Sequence, residues 1–225
     1  MIPLRSSERT TSPATTTLIL ILINVLVFLY ELNLQLNYPS YVLNRFIATY
    51  GIVPDRLNLA ALVTSMFIHG GFLHIAGNMW FLWIFGKGIE DAIGHVRFLI
   101  FYFLCGLAAG IIHVIVNAGS PIPTVGASGA IAGVMGAYLI KFPSARIVTL
   151  VPIFIFITTL DIPAAFLLLY WFVIQFFSGV GSVGYSQASS GDVAWFAHIG
   201  GFLAGMGLIL TMPSKPRYRQ WSPDV

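Results

Sequence analysis

The chain has little charge. Of its 225 residues only 8% are Asp, Glu, Lys or Arg, whereas 57% are hydrophobic. A soluble domain carries roughly 25% charged residues, so most side chains here face lipid or one another, and a water-soluble enzyme is excluded. The basic residues are too few and too scattered for a nucleic-acid surface. One cysteine, Cys105, rules out an intramolecular disulfide framework; it sits in an apolar run and reads as a packed thiol. No small-x-small cleavage site follows the first apolar run, Leu18 to Leu34, which is longer than a signal-peptide core and is expected to stay as a helix. No repeat of fixed period and no low-complexity tract is present.

What the sequence does have is long apolar runs. Crossing a hydrocarbon core of about 30 Å takes about 20 helical residues at roughly 1.5 Å each. That rule predicts six spans, at about 17–34, 62–86, 98–116, 127–141, 160–178 and 193–212. The segment Arg146–Thr159 is β-branched, holds Pro152 and is followed by Pro163. It reads as a buried extended piece or a short re-entrant stretch. The expectation is an all-α membrane protein with three parts: a cytoplasmic tail over 1–16, a six-helix membrane domain over 17–212 and a second cytoplasmic tail over 213–225. With the N-terminus inside, nine Lys and Arg fall on the inner side (Arg5, Arg9, Lys87, Arg97, Lys141, Arg146, Lys215, Arg217, Arg219) and two, Arg45 and Arg56, on the outer. That excess puts both termini in the cytoplasm. The short tails point to a prokaryotic plasma membrane.

Polar groups inside spans are costly and mark functional sites. Four stand out: His74 and Asn78 on the second span, Ser128 at the start of the fourth and His198 near the start of the sixth. All three spans run from outside to inside, so these groups share one depth, below the outer surface. His74 and Asn78 are four residues apart and face one side of their helix. Small residues recur every four positions on the fourth span (Gly129, Gly133, Ala137) and on the sixth (Ala197, Gly201, Gly205). Such faces let membrane helices approach backbone to backbone, which would bring Ser128 and His198 within hydrogen-bond reach.

A serine beside a neutral imidazole can attack a carbonyl, the histidine taking the hydroxyl proton and later returning it to the leaving amine. Asn78, His74 and the backbone N–H of Ser128, in a first helical turn, are suited to stabilise the resulting oxyanion. The outer acids are Glu31, Asp55 and Asp192, and Asp192 reads as a helix cap. A dyad is therefore expected rather than a triad. Each residue alone also has a structural reading: Ser128 as a small packing residue, His198 as a buried histidine on a carbonyl, His74 with Asn78 as interhelical polar contacts. A metal site from His69, His74 and His198 has the wrong spacing and no adjacent carboxylate. His113 is unassigned, His95 reads as solvated, and Glu90 with Arg97 flanks a tight inner turn. Asp161 and Gln175 read as polar contacts fixing the fifth span, and Trp171 and Trp195 as packing or interfacial anchors.

The segments H-G-G-F-L-H-I-A-G-N (69–78), G-A-S-G (126–129) and A-H-I-G-G-F-L-A-G (197–205) resemble those of the rhomboid family of intramembrane serine proteases. The resemblance implies a six-helix rhomboid-like bundle with Ser128 as nucleophile, His198 as base and oxyanion contacts from His74, Asn78 and the Ser128 backbone. It also implies cleavage of single-spanning membrane proteins near the bilayer edge, without cofactor, metal or nucleotide, and a mobile gate formed by the fifth span and the loop 179–192. Many family members carry an aromatic residue one turn after the serine, against the histidine; here that position is Ala132, so the histidine is either held by another ring, for instance Trp195 or Phe196, or less constrained. A catalytically silent client-binding relative is the alternative function. A channel using the same polar groups is disfavoured by the lack of an inverted repeat.

Overall fold

A computed structural model describes residues 1–153, 156–182 and 194–214; the loop expected to act as a gate lies largely outside these residues, as do Asp192 and the basic end Lys215, Arg217 and Arg219. The chain opens with strand β1 (Ile2–Ser6) and helix α1 (Thr15–Asn37). A surface helix α2 (Ser40–Tyr50) and a short helix α3 (Ala61–Thr64) come next. Helix α4 (Phe72–Phe81) continues through a π-helical turn (Leu82–Gly86) into α5 (Lys87–Ile93). Then come α6 (His95–Val116), α7 (Ser128–Lys141), β2 (Arg146–Ile153), β3 (Phe156–Pro163), α8 (Ala164–Ser182) and α9 (Trp195–Thr211).

Three helices are individually long and apolar enough to cross a bilayer: Thr15–Asn37, His95–Val116 and Ala164–Gly181. Their outer faces carry Leu22, Leu26 and Leu29 on α1, Ile115 on α6 and Phe177 on α8, all exposed, where lipid tails would solvate them. Helices α7 and α9 have 14 and 17 residues, or about 21 and 26 Å at the helical rise. The second expected span begins later than its apolar run, because Gly70 and Gly71 separate the short α3 region from α4. His69 consequently lies outside the helix. The fifth span also starts later, at Ala164 rather than 160. Pro163 ends a strand there, and the residue before a proline is disfavoured in a helix.

The α7–α9 contact is the tightest in the bundle. A Cβ on Gly201 would collide with the backbone oxygen of Gly129, and one on Gly205 with the backbone of Gly133. Equal register at both pairs makes the two helices parallel. Helix α6 runs antiparallel along both, with Ala109 against Gly129, Cys105 against Gly133 and Ile112 against Gly200. Cys105 is fully buried, as a packed thiol should be. Around this seam Phe85, Phe98, Phe101, Tyr102 and Tyr138 are fully buried. Between helices in lipid the gain is van der Waals packing rather than release of water.

The helical reading left out a three-stranded antiparallel sheet, ordered β1-β2-β3. Of the two readings offered for Arg146–Thr159 the extended one holds and the re-entrant one does not: β2 and β3 form a hairpin, with Ile153 opposite Phe156 and Arg146 opposite Pro163. The piece is not buried as expected, however, since of its described side chains only Ile147 and Thr149 are buried. The N-terminal strand then pairs along β2, Ile2 opposite Leu150 and Ser6 opposite Ile147. Trp80 donates its indole N–H to Pro3 O at 2.6 Å, and Ser6 Oγ meets Tyr138 Oη. The sheet follows the C-terminal end of α7, opposite the end that holds Ser128.

Glu90 is fully buried at the foot of the bundle. It accepts from the backbone N–H of Thr16 at 2.7 Å and of Thr17 at 2.8 Å, from Thr17 Oγ1 at 2.6 Å and from His95 Nδ1 at 2.6 Å. Burial alone would raise its pKa, but the bonds from Thr17, His95 and Thr16 together hold the carboxyl below its ordinary value. Its partners are thus the start of α1 and His95, which is not simply solvated; Arg97 turns instead to Ile93 O.

Candidate active site

Ser128 is the first residue of α7 and His198 the fourth of α9. The glycine seam holds these two helix starts together, and Ser128 Oγ lies 2.8 Å from His198 Nε2. The imidazole is buried and the serine half-buried. The opposite ring nitrogen, Nδ1, lies 2.6 Å from Oε1 of Gln175 on α8, itself buried. Among the described residues no carboxylate touches the ring: Glu31 accepts the backbone N–H of His69 at 3.1 Å, and Asp55 sits on the surface beside Arg56. Trp171 lies with its ring centroid 5.8 Å from that of His198, and Trp195 meets it edge-on at 6.4 Å. Two tryptophans therefore flank the histidine where Ala132 leaves no ring. Trp195 was expected from the sequence; Trp171 was not.

The approach to Ser128 is pinned from three directions. Thr124 pairs backbone to backbone with Ile52 at 2.9 and 2.7 Å. Thr124 Oγ1 and His113 Nε2 on α6 share a hydrogen bond of 2.8 Å, which gives the unassigned histidine a structural role. Gly126 donates its N–H to Ser65 O at 2.8 Å. Gly126 has φ +126°, a region L side chains avoid. A Cβ there would stand 2.8 Å from His74 Nε2 and 3.7 Å from Ser128 Oγ. The missing side chain is what lets the His74 ring lie beside the serine.

His74 is half-buried on α4, and its Nδ1 accepts the Gly70 N–H at 3.4 Å. That bond leaves Nε2, the nitrogen facing Gly126, to carry the proton. One turn on, Asn78 is buried and its Nδ2 has no hydrogen-bond partner among the described residues. An unpaired buried amide donor costs about 1–3 kcal/mol, so it is a group prepared for an acceptor. Ser128, at the first helical position, adds a backbone N–H that no helical carbonyl can satisfy. A small cleft of about 30 Å³ opens between α6, α7 and α9, lined by Ser65, His113, Thr124, Gly126, Ser128 and Ala197. His69 stacks edge-on against His74, with centroids 5.1 Å apart, and no group of three His, Cys, Asp or Glu among the described residues is disposed to hold a metal ion.

The arrangement is that of a helical membrane protein with a serine–histidine pair at the mouth of an apolar bundle. The Rhomboid domain family model matches residues 56–215, and the chain belongs to the rhomboid family. It is 30% identical to RHOMBOID-like protein 5 of Arabidopsis thaliana over 167 residues, 72% of this chain and 47% of that protein. It is 40% identical to the rhomboid protease GluP of Bacillus subtilis over 78 residues, 35% of this chain and 15% of that one. The human presenilin-associated rhomboid-like protein, mitochondrial, shares 30% over 105 residues, 45% and 28% of the two chains. The matched region spans about half the length of the Arabidopsis relative, and less of the others.

Proposed function

We propose that this chain is an intramembrane serine endopeptidase that hydrolyses peptide bonds in or near the transmembrane segments of single-spanning membrane proteins. The observation that carries the proposal is the 2.8 Å contact of Ser128 Oγ with His198 Nε2, together with a buried amide donor one turn after His74, Asn78 Nδ2, that has no acceptor among the described residues. His198 Nε2 takes the serine proton as Oγ bonds to the scissile carbonyl carbon. The carbonyl oxygen gains the charge, and the Ser128 backbone, His74 Nε2 and Asn78 Nδ2 donate to it; each such donor lowers the barrier by about 2.7–4 kcal/mol in a soluble protease. Collapse breaks the C–N bond, and the histidine gives its proton to the leaving nitrogen. Water then repeats the sequence on the acyl-serine, releasing the acid and regenerating the hydroxyl. Apart from that water, the steps use only protein groups, without cofactor, metal or nucleotide.

The proposal includes six crossings with both termini in the cytoplasm and the site opening to the outer face of a prokaryotic plasma membrane. Its support is the charge asymmetry and the succession of apolar helices; tagging each terminus and testing protease access from either side checks it. The functional test compares the membrane proteomes of cells bearing wild type and Ser128→Ala. The expected result is fragments of single-spanning proteins that appear only with wild type. Intact clients captured equally by both forms, with no fragments, would instead identify a catalytically silent client-binding protein.

A further inference from the structure

The hydrolase reading above, on which this section rests, uses one nitrogen of His198. The other is bound just as closely. Gln175 Oε1 approaches Nδ1 to 2.6 Å from a buried position on α8. An amide oxygen only accepts, so Nδ1 carries the ring proton and the lone pair of Nε2 is left facing Ser128. This is the one neutral tautomer that can remove the serine proton.

Gln175 belongs to a stripe. Trp171, four residues earlier, lays its ring near His198 and 6.0 Å from that of Phe202. Gly179, four residues later, has Trp195 so close that a Cβ would lie 3.2 Å from that of the tryptophan. All three positions face α9. Helix α8 is also the least buried of the three long apolar helices, at 28% against 33% for α1 and 39% for α6. The partner that sets the histidine's tautomer thus comes from the most peripheral of these helices.

We propose that Gln175 is the positioning residue of the dyad, fixing the Nδ1–H tautomer of His198 and making the base competent only while α8 is packed on α9. A neutral amide does this without the cost of a buried carboxylate in an apolar bundle. A glutamine that merely held two helices together would affect stability and leave the ring proton where it was.

The test uses the full chain in detergent micelles, with ¹⁵N-labelled histidine and a cleavage assay on a transmembrane-segment reporter. The hydrogen-bonded Nδ1–H resonance, identified by its loss in His198→Ala, is expected in wild type, in Ser128→Ala and in Gln175→Glu, which keeps an acceptor oxygen at the same reach. It is expected to vanish in Gln175→Met, together with a fall in kcat of about 10- to 100-fold, as loss of a histidine-orienting partner brings elsewhere, and KM within about twofold. Gly179→Leu removes no polar group but wedges α8 from α9; it should lose the same resonance, and it covers the case in which Gln175→Met does not fold. An unchanged resonance, or kcat within twofold of wild type, in folded Gln175→Met overturns the proposal. So does a Gln175→Glu variant as slow as Gln175→Met. A wild type that cleaves nothing, yet loses the resonance in Gln175→Met, would remove the hydrolase reading and leave the tautomer assignment standing.

Discussion

Gly205 offers a sharp perturbation because a control sits two residues away on the same helix. Alanine at Gly207 meets nothing within 4 Å, whereas a Cβ at Gly205 falls on the backbone of Gly133. Both substitutions gain up to about 1 kcal/mol by replacing glycine in a helix. Only Gly205→Ala must push two backbones apart, and overpacking costs about 1–3 kcal/mol. The difference between the variants is therefore about 1–3 kcal/mol, which for a chain of this size displaces the thermal midpoint by about 2–4 °C per kcal/mol. Gly205 lies seven residues below His198, about 10 Å along the axis, so separation there also draws the imidazole from Ser128. Thermal unfolding in detergent, followed by tryptophan fluorescence, reads the first effect, and the rate of fluorophosphonate labelling reads the second. Equal midpoints and equal labelling rates for Gly205→Ala and Gly207→Ala would refute the claim that this seam holds the site together.

Three further outcomes follow from the geometry. Gly126→Ala forces a side chain to φ +126° and to within 2.8 Å of His74 Nε2; strain of about 1–3 kcal/mol and a displaced His74 should slow labelling at least tenfold, measured against thermal stability. Glu90→Gln weakens four bonds to a charged acceptor and should lower stability by roughly 1.5–3 kcal/mol. Because the folded pKa of Glu90 is depressed below 4.5, its contribution is full above pH 4.5 and is lost as pH falls through the folded value, so the gap between wild type and Glu90→Gln in thermal midpoint should close only on the acid side of 4.5. Thr124→Val leaves His113 Nε2 without its partner and should destabilise the chain by about 1–3 kcal/mol, seen as a lower midpoint.

The helices were legible because apolar length and four-residue glycine spacing are local properties. Gly129 and Gly133 opposite Gly201 and Gly205 could be paired from spacing alone, and with them Ser128 and His198. The sheet was not legible: β1 is a five-residue strand whose partner lies some 140 residues on, and nothing local in Ile2–Ser6 distinguishes it from a polar tail. Gln175 read as a helix-fixing contact, since its partner lies on another helix; the available signal was a lone amide in an apolar helix with Trp171 one turn before it. The bond of Glu90 to the start of α1 was hidden for the same reason, and Arg97, which flanks the same turn, reaches Ile93 O instead. The helix starts at 72 and 164 differ from those expected because Gly70, Gly71 and Pro163 interrupt apolar runs that hydropathy alone treats as continuous.

The central claim is that Ser128 is a nucleophile activated by His198. The most direct measurement is mass spectrometry of the membrane-embedded wild type, Ser128→Ala and His198→Ala after exposure to a fluorophosphonate. The account predicts an adduct on the peptide containing Ser128 in wild type alone, with labelling of His198→Ala slowed at least a hundredfold. An adduct on a different residue, or labelling at Ser128 that proceeds equally fast without the imidazole, would contradict it.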